Sequence, residues 1–237
     1  MSEPVLSVRG VSKRFDTLLA VANVDLDVAR GEKLGIIGPN GSGKTTLINC
    51  ITGVLRPEQG TIIFEGVDVS AMPTYRRARR GIARSFQIPR PFVGMSVTEN
   101  LLVPLDYVEG EEDRLERARQ ILASTGLKAR AHDPAESLSH LELRKLELAR
   151  ALAAGPRLLI ADEVMAGLSE SEIDDVLDIL FALNALGVTI IMIEHIMHAI
   201  TRFSQRLVCM ETGRIIADGE PQEVARHPEV RRVYFGK

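Results

Sequence analysis

Eight consecutive residues, Gly38, Pro39, Asn40, Gly41, Ser42, Gly43, Lys44 and Thr45, follow an apolar run at 34–37 and precede a helical pattern from Thr46 onward. Their spacing is GxxxxGK(S/T), and it constrains the chain more tightly than any other feature. A strand has to end here, the backbone has to curl through conformations that glycine tolerates, and a helix has to start with its positive end toward whatever the loop encloses. Successive N–H groups can then converge on phosphate oxygens. In a loop of this kind the lysine, Lys44, reaches the β and γ phosphates, and the hydroxyl of Thr45 ligates Mg²⁺. Residues 38–46, Thr46 included, are therefore read as a site for ATP with Mg²⁺. The plainer alternative is a glycine-rich turn that holds nothing.

Further short apolar runs at 62–64, 158–161, 188–193 and 206–210 read as strands. Runs that are apolar throughout suit central parallel strands covered on both faces, whereas the segments at 5–8 and 21–28 alternate like an antiparallel edge sheet. Between about Pro89 and Gly155 the strand signal gives way to helix, with Ser96 and Glu99 spaced as a capping box ahead of residues 100–105. The predicted fold class is α/β: a P-loop core with an antiparallel β edge sheet and an inserted helical subdomain. One domain of 237 residues is expected, its core formed by 1–88 and 156–237 and its helical subdomain by about 89–155. The tail from Pro221 reads as short helices broken at Pro228, and no chemistry is assigned to it.

Apolar residues make up 45% of the chain and charged residues 26%, as in a soluble globular protein. A net charge of −3, few aromatics and no Trp argue against a nucleic-acid partner. Arg76, Arg77, Arg79, Arg80, Arg84 and Arg90 form a local basic cluster, read as a solvated face, with an edge near anionic lipid headgroups as the alternative. No apolar stretch approaches the roughly 18 residues that span a bilayer, and the amino end carries no secretory apolar region, so a cytosolic chain is expected. Cys50 and Cys209 have neither disulfide-framework nor metal-ligand spacing and are expected to be reduced thiols.

The run at 158–161 leads straight into Asp162 and Glu163, two adjacent carboxylates at the end of an expected buried strand. Burying paired acids without a task is costly. Asp162 is placed to hold Mg²⁺ through its water shell and Glu163 to polarise the attacking water. The alternative is an ordinary acidic helix start, since a helix is expected to open near Ser169. His195 follows the apolar residues 190–193 and Glu194. A lone histidine at a strand end is more often structural, yet ligands gather at the carboxyl ends of strands in open α/β sheets, which makes His195 a candidate as well.

With these residues in this order, the chain resembles the ABC ATPase family across essentially its full length. The resemblance implies a P-loop core of ABC ATPase type that hydrolyses ATP. It gives Phe15 the role of stacking on adenine, although alone Phe15 would pass for a core or hairpin residue. Gln87, in Ser85-Phe86-Gln87, would touch Mg²⁺ and the attacking water and link the core to the helical subdomain. Glu163 would be the general base and His195 the switch histidine that contacts the γ-phosphate. Lys44, Gln87, Glu163 and His195 thus form the catalytic set, and Thr45, Gln87 and Asp162 the metal set. Ala166, Gly167 and Leu168 fall at the loop that faces a second subunit. Within the family the chain looks most like the ATP-binding subunits of importers for branched-chain amino acids and related amides or urea. That narrower likeness rests on Arg84-Ser85-Phe86-Gln87, Val97-Thr98-Glu99-Asn100-Leu101, Asp162-Glu163-Val164-Met165-Ala166-Gly167-Leu168, Ile193-Glu194-His195 and the closing Tyr234-Phe235-Gly236.

One departure matters. The family's LSGGQ signature, which caps the ATP held by the opposite subunit, stands here as Leu138, Ser139, His140, Leu141 and Glu142, with both glycines missing. Leu141 restricts how closely backbone can approach a phosphate, and Glu142 adds a negative charge near one. Ser139 and Glu142 also have the spacing of a capping box, and a capped helix start can still point N–H groups at an anion. The resemblance implies a second ABC ATPase subunit, identical or different, and transmembrane permease subunits as partners. It places the chain, soluble when isolated, at the cytoplasmic face of the inner membrane as a peripheral subunit. Two other readings stand beside the ATP-driven engine. One is a nucleotide-binding clamp with little turnover, against which Glu163 and His195 argue. The other is an ABC protein acting on DNA or ribosomes, against which the absence of a basic surface argues.

Overall fold

Short apolar runs with no helical stripe bury most fully as strands covered on both faces, and the chain follows that rule. In order it forms β1 (Leu6–Phe15), β2 (Leu18–Val28), β3 (Lys33–Ile37), α1 (Lys44–Thr52), β4 (Gln59–Phe64), β5 (Val67–Asp68), α2 (Thr74–Arg79), β6 (Ile82–Ser85), α3 (Val97–Leu105), α4 (Arg114–Ser124), α5 (His140–Ala153), β7 (Leu158–Asp162), α6 (Glu170–Ala185), β8 (Thr189–Ile193), α7 (Met197–Phe203), β9 (Arg206–Glu211), β10 (Arg214–Gly219), α8 (Pro221–Arg226) and α9 (Pro228–Phe235). The structure, a computed structural model, describes residues 3–85, 89–108 and 113–235. The chain divides into two units, one running to Arg77 and resuming at Thr189, the other covering residues 78–188.

The first unit holds an antiparallel sheet in the order β2-β1-β4-β5. Leu6 lies opposite Val28 and Val8 opposite Leu26. The alternation read from the sequence thus puts all four on one buried face. A second set of strands in this unit runs β10-β9-β3-β8, with β3 parallel to both β8 and β9. β3 is covered so closely that a Cβ on Gly35 would collide with Ser204 Oγ and lie 2.6 Å from a Leu207 methyl. The turn from β9 to β10 carries positive φ at Thr212 and Gly213, the pairing that a tight hairpin with primed-turn geometry demands.

In the second unit β6 runs parallel to β7, with Ser85 beside Ala161. Helices α3, α4 and α5 pack together around Val97, Leu101, Ile121 and Leu148, all buried. The expected capping box forms at the start of α3. Ser96 Oγ accepts the Glu99 N–H at 3.2 Å, and the Glu99 carboxylate accepts the Ser96 N–H at 2.7 Å. β6 and β10 were not among the expected strands. Arg84 and Ser85 fill half of β6, and Arg214, Asp218 and Gly219 half of β10, so neither presents an apolar run.

One expectation fails. Arg84, assigned with its neighbours to a solvated face, has a side chain only 15% exposed, and Arg77 of the same cluster is 1% exposed. The Arg77 guanidinium donates to the carbonyls of Cys50 at 2.6 Å and Ile51 at 2.7 Å, in the last turn of α1, and to those of Met72 at 2.8 Å and Ser70 at 3.1 Å. Backbone oxygens, two of them 26 and 27 residues away, replace the water that local composition leads one to expect. Cys50 and Cys209 are free and buried. Among the described residues no helix is long and apolar enough to cross a membrane.

Candidate functional site

The loop between β3 and α1 is shaped by its glycines and braced from behind. Gly38, Gly41 and Gly43 have φ of +153°, +80° and +101°. A Cβ on Gly43 would strike the Ala20 carbonyl and stand 3.2 Å from the Gly213 Cα. Here the chain passes too close to β2 and to the β9–β10 turn for any side chain. The Gly213 N–H donates to the Ser42 carbonyl and the Ala22 N–H to the Gly213 carbonyl, each at 2.9 Å, so hairpin and strand hold the loop in place.

Inside the loop the groups suit an anion. Lys44 is buried, and its ammonium donates to the loop carbonyls of Gly38 at 2.7 Å and Pro39 at 3.1 Å. The Ser42 hydroxyl is buried with no hydrogen-bond partner. α1 starts at Gly43 with no side-chain cap, and its first N–H groups have no acceptor within the helix. A buried hydroxyl beside uncapped amides is a site that phosphate oxygens would satisfy, so the loop fits a triphosphate. Asn40, Gly41 and Thr45 are exposed, and Thr46 is half-buried. Phe15, at the end of β1, exposes its ring, with the Lys13 ammonium 5.6 Å from the ring centre. That exposure removes the core-residue alternative and leaves Phe15 as a hairpin residue, paired with Leu18, or a support for a planar base. β3 and β8 run parallel with Ile36 beside Ile193, so the loop and His195 leave the same end of two adjacent strands. Open α/β sheets place their ligands at that end.

In the second unit, Asp162 closes β7 and is buried. It is ion-paired to the Arg84 guanidinium of β6 at 2.5 Å. Glu163 follows at φ +50°, a left-handed conformation that non-glycine residues rarely hold, and it turns the chain sharply out of the strand. Gln87 lies outside the described residues. Among the described residues no group of three or more His, Cys, Asp or Glu could cage a metal. Mg²⁺ commonly needs only one or two carboxylates beside substrate phosphates and water, and each donor, the hydroxyl of Thr45 in the first unit and the carboxylate of Asp162 in the second, is by itself of a kind that suits it.

The altered signature starts α5. Ser139 Oγ accepts the Glu142 N–H at 3.3 Å, and the Glu142 carboxylate accepts the Ser139 N–H at 2.8 Å, a closed capping box. That backbone hydrogen bond, helped by the Ser139 hydroxyl and by Arg130, holds the Glu142 carboxyl below its usual range. The charge of Glu142 is thus turned back on its own helix. The loop at 166–168 lies beside it: Arg144 donates to the Ala166 carbonyl at 3.2 Å, and a Cβ on Gly167 would lie 3.4 Å from His140 Cε1. The two segments assigned to a partner subunit are therefore neighbours.

Two contacts went unread in the sequence. Arg84 gave no local sign that it would pair with Asp162, which follows only from the parallel register of β6 and β7. Tyr234, in α9, accepts the Gly38 N–H with its hydroxyl at 2.5 Å.

A family model described as "ABC transporter" matches residues 21–166, and one described as "Branched-chain amino acid ATP-binding cassette transporter" matches residues 214–237. The chain is 35% identical to the high-affinity branched-chain amino acid transport ATP-binding protein BraF of Pseudomonas aeruginosa, in an alignment covering all of both proteins. Among solved structures, the ADP conformation of MJ1267, an ATP-binding cassette of an ABC transporter, matches with a TM-score of 0.91 at 33% identity over the whole of both chains. The dimeric structure of MJ0796, a bacterial ABC transporter cassette, matches with a TM-score of 0.81 at 25% identity, covering 91% of this chain and 98% of that one.

Proposed function

The chain belongs to the ABC transporter family, and from that premise we propose that it binds ATP with Mg²⁺ and hydrolyses it to power an importer of branched-chain amino acids or related small polar solutes. The observation that carries the reading is the loop at 38–45. Its glycines occupy left-handed conformations, its lysine is buried on the loop's own carbonyls, and its serine hydroxyl is buried without a partner. The narrower solute class is supported by BraF, described as a branched-chain amino acid transport ATP-binding protein, and by the family model over residues 214–237.

In this reading the Lys44 ammonium leaves the Gly38 and Pro39 carbonyls for the β and γ phosphates, and Phe15 supports the adenine. Asp162 and Thr45, with Gln87, would hold Mg²⁺. The bound ion would neutralise charge developing on the phosphates. Glu163 accepts the proton of the attacking water, and His195 donates to the γ-phosphate oxygens. Ser139, His140, Leu141 and Glu142 would face the nucleotide of a second ATPase subunit, together with Ala166, Gly167 and Leu168. The dimeric MJ0796 cassette supports such a pairing. Permease subunits, and a peripheral position on the cytoplasmic face of the membrane, complete the proposal.

Calorimetric titration with MgATP tests it. Micromolar or tighter affinity is expected for the wild type. Loss of the lysine's charged hydrogen bonds in Lys44→Ala should weaken binding about 10- to 100-fold. No affinity in the unaltered chain would end the reading. A second reading, a clamp that holds nucleotide with little turnover, draws on Leu141 and Glu142 replacing the signature glycines. Phosphate release by the assembled dimer, abolished by Glu163→Gln, would exclude the clamp.

A further inference from the structure

The closing helix α9 takes no part in the proposed reaction, yet it is tied to the loop that would hold the nucleotide. Three anchors fix it: Val230 is 2% exposed, Arg232 pairs with Glu211 of β9 at 2.9 Å, and the Tyr234 hydroxyl accepts the Gly38 N–H at 2.5 Å. Gly38 is buried at the base of the loop, where a Cβ would strike the Met210 carbonyl and lie 2.6 Å from Ser42 Oγ. Water has little access there, so the amide requires a protein acceptor. The acceptor comes from a residue 196 positions further along the chain.

We propose that Tyr234 is a positioning residue for the nucleotide loop, its hydroxyl coupling the docking of the C-terminal helix to the conformation in which the loop accepts phosphate. This rests on the reading of that loop as the ATP site. Gly38 and Ser42 are close enough that a shift of the first amide is felt at the orphaned serine hydroxyl. If docking of α9 favours the phosphate-ready loop, nucleotide must favour docking of α9 by the same factor. Burial pushes the Tyr234 phenol up to about 12, so it remains an intact hydroxyl through the neutral range.

The sequence supplies its own probe. The chain has no Trp and three Tyr, and the other two, Tyr75 and Tyr107, are exposed. In a Tyr75→Phe, Tyr107→Phe background the tyrosine fluorescence belongs to Tyr234 alone. ADP should change that emission along the same saturation curve that calorimetry records. Tyr234→Phe, which keeps the ring and removes only the acceptor, should weaken ADP and MgATP binding about three- to tenfold. A purely architectural tyrosine would lower the melting temperature of the nucleotide-free chain and leave affinity unchanged, and that result overturns the proposal. Silent Tyr234 fluorescence while calorimetry shows saturation overturns it as well. Failure of the wild type to bind either nucleotide strikes the ATP reading itself, and so is distinct from failure of the tyrosine's role.

Discussion

At the scale of single residues, the pair formed by Arg84 and Asp162 shows how a proposed metal ligand is kept ready. Both side chains are largely buried, at 15% and 9% exposure, and they meet at 2.5 Å. A carboxylate taken from water needs a cation, and Arg84 provides one before any metal does. Arg84→Met, close in volume but uncharged, should lower stability by about 3 kcal/mol or more, because it strands the buried charge. Adding Asp162→Asn should recover part of that loss. Urea denaturation at neutral pH of the two single variants and the double variant checks this, and strictly additive losses would show that the two do not act as a pair. The loop at 38–45 could be read because glycine spacing encodes backbone shape, and the capping boxes at Ser96 and Ser139 because their partners are three residues apart. The role of Arg84 could not be read, since it depends on which strand lies next to β6. Tyr234 was unreadable for the same reason, its acceptor role being defined by an amide near the other end of the chain.

At the scale of elements, α1 carries the site, and its two ends are treated in opposite ways. The amino end is left uncapped at Gly43. The carboxyl end is closed by the left-handed Gly53 and by the buried Arg77, whose guanidinium occupies the last carbonyls. Positive charge there also complements the helix dipole. Arg77→Ala would empty a large buried volume and orphan several carbonyls together, for an expected loss of about 3–5 kcal/mol. Arg77→Lys should rescue little, since a single ammonium cannot span four carbonyls on separate segments. Guanidinium-chloride midpoints of the two variants check this, and a lysine variant near wild-type stability would overturn it. The same element explains a limit of sequence reading. Periodicity predicted a helix after the loop, and α1 is there, but its anchoring arginine sat in what looked like a solvated basic run. Burial of a charged group is decided by acceptors that other segments bring, and periodicity carries no record of them.

At the scale of the whole molecule, two buried thiols and the half-buried Tyr234 phenol contribute to its response to alkali. Burial raises the Cys50 and Cys209 thiols to about 11 and the Tyr234 phenol to about 12. Each is held neutral by the fold, so its contribution to stability is complete below the unfolded value, near 9 for the thiols and 10 for the phenol, and is lost as pH rises toward 11 or 12. Denaturation midpoints should stay level to about pH 9 and then fall, and Cys50→Ala with Cys209→Ala should flatten the first part of the fall. An unchanged slope would show that the thiols do not drive it. The proposed dimer carries the remaining consequence. This chain keeps its own loop, Asp162, Glu163 and His195, whereas the surface it would offer a partner has Leu141 and Glu142 in place of the signature glycines. The capping box turns the Glu142 carboxylate back onto Ser139, which removes much of the repulsion but not the bulk of Leu141. Paired with a different subunit whose signature is intact, this chain's own nucleotide would be fully enclosed and the partner's less well. Single-turnover hydrolysis by such a mixed dimer should therefore fall far more with Glu163→Gln here than with the equivalent change in the partner. Equal losses would mean that α5 presents its N–H groups to phosphate as well as glycines would, and the asymmetry would have no physical basis.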